Sequence, residues 1–144
     1  MEKKDIAVRQ IKASARLYLK GDFVCSITLA GASEEILGEI SKKRNGVNQF
    51  DDELSYLKNI FKYFPSTSTQ KKILVPSNKE LIKRINGAKN ELKHNDGGEN
   101  KFVNFDFEFE AAMLFIKAVK NYYDCYDEFP NDKMVVKLFD HLTL

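Results

Sequence analysis

The sequence predicts an all-α fold, a single bundle of five or six helices over residues 1–144, and three observations carry that expectation. Apolar residues recur at intervals of three and four through most of the chain. Breakers at Gly21-Asp22, Asn45-Gly46, Pro65 and Asn95-Asp96-Gly97-Gly98 cut it into helix-sized pieces. Only one stretch alternates with the period of a strand, so a sheet would lack a second strand to pair with.

A chain of 144 residues can bury one core. With 43% hydrophobic and 31% charged residues it is ordinary globular material, which excludes a disordered or fibrous class. The first helix is expected over about residues 3–20, where Ile6, Ile11, Ala15, Leu17, Tyr18 and Leu19 sit among Lys and Arg. Asp22 can cap a second helix, Phe23 to Ile40, apolar on most sides through Val24, Ile27, Leu29, Ala30, Ile36, Leu37 and Ile40 and therefore central. Its small residues, among them Ser26, Gly31, Ser33 and Gly38, allow neighbouring helices to approach closely.

Residues 41–46 read as a loop. Asp51 or Asp52 then starts a third helix with Leu54, Leu57, Ile60, Phe61 and Phe64 inside, stopped by Pro65. A further loop runs from Ser66 to Pro76. Ser77 and Glu80 form a capping box that opens a fourth helix with the stripe Leu81, Ile85, Ala88, Leu92, and His94 falls in its last turn. The alternating run Phe102 to Glu110 is an extended lead-in; Asp106 caps a fifth helix to about Asp127, in which Tyr122, Tyr123 and Tyr126 serve core and interface. A short terminal helix covers Asn131 to Leu142.

No basic-then-apolar leader opens the chain, because Met1-Glu2-Lys3-Lys4-Asp5 runs into an amphipathic pattern, so a cytoplasmic protein is expected. The longest mostly uncharged stretch, Phe23 to Ser33, falls well short of the roughly 20 residues a membrane span needs, and no membrane is implied. Cys25 and Cys125 lack C-x-x-C spacing and sit among apolar residues, so both are expected as free, buried thiols. Glu34 and Glu35 are expected at the surface.

Charge is uneven although the total is only +2. Residues 71–94 hold seven Lys or Arg against Glu80 and Glu91, a balance of +5 that could attract an anion such as RNA phosphate, with Lys83 and Lys93 as phosphate contacts. Lys83, Gly87, Asn90 and His94 share one face of the fourth helix, opposite its apolar stripe. The pattern Glu91-Leu92-Lys93-His94 has the Glu-x-x-His form of di-iron bundles, but those need two such pairs. Leu138 stands three before His141, the other histidine, so no metal or other cofactor is expected.

The segment Lys89-Asn90-Glu91-Leu92-Lys93-His94 resembles the motif of the HEPN superfamily, in which an Arg, then a polar residue that is often Asn, precede a His four to six residues on. The runs Ala13 to Asp22 and Ser26 to Gly38 look like the paired helices of small bacterial HEPN-like proteins. The resemblance implies a helical bundle whose motif faces a second copy across a homodimer cleft. It implies a role linked to RNA or nucleotides or to a protein partner, without catalysis, or else a metal-independent ribonuclease in which His94 moves the proton, Asn90 orients it and Lys89 holds phosphate. Imidazole titrates near neutrality and suits proton transfer. Lys89 stands where the superfamily has Arg, and it offers a point charge rather than a planar two-pronged fork.

Overall fold

The computed structural model describes residues 1–63, 76–94, 97–99 and 101–144. Among them are seven helices: α1 (Lys3–Leu19), α2 (Phe23–Asn45), α3 (Gln49–Tyr63), α4 (Asn78–Ile85), α5 (Gly87–Lys93), α6 (Phe107–Tyr126) and α7 (Lys133–Thr143). The described residues contain no strand, as the all-α reading requires, and no helix long and apolar enough to cross a membrane.

The second helix is central. It lies between α1 and α6 and carries α5 on a further side, while α7 closes against α1 and α6. Ile11 of α1, Ile27 and Leu37 of α2, Phe115 and Val119 of α6, and Val135 and Leu138 of α7 are fully buried in one cluster. The α1/α2 contact runs along small hydroxyl residues. Ser26 Oγ donates to Ser14 O at 3.0 Å, Ser14 Oγ lies 3.1 Å from Ser26 O, and Ser33 Oγ donates to Ala7 O at 3.1 Å. Each hydroxyl is buried with a partner, so the close approach leaves none of them unsatisfied.

Three boundaries differ from the sequence expectation, each for a physical reason. Residues 41–45 continue α2 rather than forming a loop, because its end is held by tertiary bonds: Ser41 Oγ donates to Val47 O, and Arg44 and Asn45 donate to the carbonyls of Cys125 and Asp124 at 2.7 and 3.1 Å. Gly46, at φ 80°, supplies the left-handed C-cap. The fourth helix is two, α4 and α5, broken at Asn86 before Gly87, the pair of lowest helix propensity in that stretch. Asn86 keeps right-handed backbone angles (φ −91°, ψ 0°), so the break is a kink and not a reversal. The third helix begins at Gln49, two residues early, because Asn121 Oδ1 of α6 accepts from Gln49 N at 2.9 Å and Asn48 and Asp51 cap one another. The expected stop at Pro65 and the loop after it, apart from Pro76, lie outside the described residues.

Elsewhere the caps are as read. Ser77 and Glu80 form the reciprocal capping box, Asp22 accepts from Cys25 N, and Asp106, itself extended (φ −75°, ψ 92°), accepts from Phe109 N to start α6. Two side chains sit differently. Leu29 is only half-buried while Ile27 and Ala30 fill the core, and Cys25 is exposed in the first turn of α2, so only Cys125 is a buried thiol.

Candidate functional site

The motif segment is divided by the surface of α2. Positions 81, 85, 88 and 92 form the apolar stripe of α4 and α5, and 89, four residues after Ile85, falls on its edge. Lys89 therefore points inward. It donates from Nζ to Glu34 Oε2 at 3.1 Å and lies 3.1 Å from Glu35 Oε1, its side chain 8% exposed and that of Glu34 5%. The approach is close because α2 has Gly31 there: a Cβ at that position would stand 3.3 Å from Lys89 Cβ.

Glu34 is thus buried and not at the surface, because it occupies the core-facing row of α2 with Ile27, Ala30, Leu37 and Ser41. Glu35 is partly exposed and also pairs with Lys93, at 3.3 Å. Partial burial pushes the Glu35 carboxyl up, but the Lys89 and Lys93 ammonium groups outweigh it, leaving its pKa below the ordinary glutamate value.

Beside this pair opens a cleft of about 280 Å³, lined by Glu34, Glu35, Glu39, Asn48, Phe50, Asn86 and Lys89 among others. Three carboxylates against one ammonium make it repel a phosphate rather than collect one. Lys89 is thereby engaged by carboxylates inside the bundle, and Lys93 by Glu35.

The other motif residues face outward. Asn90 and His94 are exposed, and His94 is the C-cap of α5 with extended backbone (φ −122°, ψ 144°), its amide donating to Asn90 O at 3.1 Å. Among the described residues the imidazole makes no hydrogen bond or ion pair. Lys83 is exposed on α4, with Lys79 and Arg84 nearby in sequence, and none of the three forms an ion pair among the described residues. Gly87, which shares that face, lies against the Phe105 ring, 3.7 Å from where a Cβ would be. Lys71 and Lys72 lie outside the described residues.

The structure therefore brings Lys89 together with Glu34 and Glu35, the two residues that sequence reasoning placed at the surface. The signal was present in the register, since Glu34 follows Ile27 by seven and Ala30 by four. Among the described residues no three His, Cys, Asp or Glu side chains converge as metal ligands. Comparison of the chain with protein-family models, with curated proteins and with solved structures found no match in any of the three.

Proposed function

We propose that this chain is a HEPN-like helical module that binds an anionic partner, RNA or a nucleotide, through the outer face of α4 and α5 without cutting it. What carries the reading is the Lys89 ammonium, buried between Glu34 and Glu35 and so committed to joining α5 to α2. A nuclease of this motif needs that cation on the phosphate. The same helices leave Lys79, Lys83 and Arg84 facing solvent, and those charges can neutralise phosphates without positioning one for attack.

Fluorescence anisotropy with a short labelled single-stranded RNA, repeated across a salt series, tests the binding half of this reading. The triple variant Lys79→Glu, Lys83→Glu, Arg84→Glu should weaken binding about ten-fold or more and flatten the salt dependence. An RNA that the wild-type chain fails to bind at low salt removes the anionic partner.

The ribonuclease reading keeps one observation in its favour: Asn90 and His94 are both exposed, with the imidazole unengaged among the described residues. In that case Lys83, and not Lys89, would be the residue left to meet phosphate.

A further inference from the structure

The turn between α6 and α7 builds a slot walled by aromatic rings. Asp127, in the left-handed region at φ 51°, ends α6, and Pro130 in the turn that follows is fully buried. Phe129 is thereby laid beside Tyr123 of α6, ring centroids 6.0 Å apart, and Phe139 of α7 meets Phe129 nearly edge-on at 5.0 Å. Tyr123 stays 46% exposed and Phe129 40%, so the bundle leaves two large rings partly in solvent on one patch, as a binding surface does.

The slot between these rings has a volume of about 280 Å³, and Gln49, Lys120 and Asp124 complete its lining. That is the small end of the range for ligand sites, with room for a molecule of one ring. Its rim carries both signs of charge. Lys120 and Asp124 are four apart on α6 and so share one side of it, yet neither forms an ion pair among the described residues. Asp124 Oδ2 accepts from Gln49 Nε2 at 2.9 Å, and Gln49 N is held in turn by Asn121 Oδ1. The neutral amide steadies the carboxylate without cancelling its charge. Nearby, Glu128 is paired with Lys4 and Asp132 with Arg16, while Lys133 and Lys137 line a separate cleft that shares Phe129.

The structure assigns this slot to a free aromatic amino acid, of the class of phenylalanine and tyrosine. A fourth ring extends the tilted and edge-to-face packing of Tyr123, Phe129 and Phe139, an arrangement that ring quadrupoles favour at centroid separations of about 4.5–7 Å. The ligand's carboxylate meets the Lys120 ammonium and its ammonium meets the Asp124 carboxylate, each a charge-assisted contact. An aromatic residue inside a peptide carries neither charge and one at a chain end carries a single charge, so only the free zwitterion answers both halves of the rim. A bare quaternary ammonium suits the rings and Asp124 but is repelled by Lys120. The lining includes no residue of α4 or α5, so this site does not rest on the RNA-binding face proposed above.

Isothermal titration calorimetry of the full chain with L-phenylalanine is the test. It should show one site with a Kd of about 10–500 µM, within reach of a ligand of roughly twelve heavy atoms. N-acetyl-L-phenylalanine, which lacks the ammonium, and L-phenylalaninamide, which lacks the carboxylate, should each bind about ten-fold more weakly. Lys120→Gln and Asp124→Asn are exposed changes, and the second keeps an oxygen to accept from Gln49, so both should leave the melting temperature unaltered. Each should weaken L-phenylalanine about ten-fold, and their selectivities should split. Lys120→Gln should no longer distinguish the amino acid from its amide, and Asp124→Asn should no longer distinguish it from its N-acetyl form. Absence of binding at about 10 mM ligand overturns the proposal. So does leucine binding as tightly as phenylalanine, tetramethylammonium binding more tightly, or a Kd indifferent to both substitutions.

Discussion

Lys89 Nζ sits 3.1 Å from Glu34 Oε2 across the contact between α5 and α2, and both side chains are more than nine-tenths buried. Removing one partner strands the other charge in the core. Lys89→Met should therefore cost about 3–5 kcal/mol in equilibrium urea unfolding, while Lys89→Met with Glu34→Leu, which removes both charges, should recover most of the loss. Singles that cost nothing measurable would mean the pair does not hold the helices.

Glu35 gives the same junction a pH dependence with a fixed sign. Its folded pKa lies below the ordinary value of 4.5, so its contribution is present at neutral pH and fades as the pH falls through 4.5 and then through the folded value. The stability difference between wild type and Glu35→Gln should be constant above about pH 6 and shrink on the acid side of 4.5. Urea midpoints at several pH values read this directly, and a difference that grows on acidification would reverse the assignment.

Ile27 and Leu29 separate the two sides of α2. Ile27→Asp places an unpaired charge at a fully buried position and should abolish cooperative unfolding, whereas Leu29→Asp, at a half-buried position, should leave a folded protein with a lowered melting temperature. Equal damage from both would mean that Leu29 is packed as deeply as Ile27.

Asn121 anchors the start of α3, since it is fully buried on α6 and accepts from Gln49 N at 2.9 Å. Asn121→Leu keeps the volume but leaves that amide without its partner, a loss of about 1–3 kcal/mol. Hydrogen exchange should quicken in the first turn of α3 with little change in the middle of α1. Uniform acceleration across both helices would show that Asn121 supports the whole core instead.

The helices were legible in the sequence wherever caps and apolar spacing agreed. Ser77 with Glu80, Asp22 and Asp106 each mark the start of a helix as read. Positions settled by distant partners were not legible: α2 runs on to Asn45 because Arg44 and Asn45 bind carbonyls of α6, some eighty residues on. The candidate site shows the same division. Its exposed members, Lys83, Asn90 and His94, lie where the wheel of α4 and α5 sets them. The motif groups Lys89 with His94 as a phosphate ligand, whereas its register beside Ile85 and Ala88 turns it inward. Glu34 and Cys25 exchange their expected places for a related reason, since residue type suggested one side of α2 and helical register put each on the other.

The most direct test of the account is incubation of purified protein with mixed RNA in chelator, with product ends analysed, for wild type, His94→Ala and Lys89→Arg. With Lys89 serving the bundle, we expect intact RNA in all three reactions and an unchanged melting temperature for His94→Ala. Products ending in 2′,3′-cyclic phosphate that disappear with His94→Ala and increase with Lys89→Arg would contradict it.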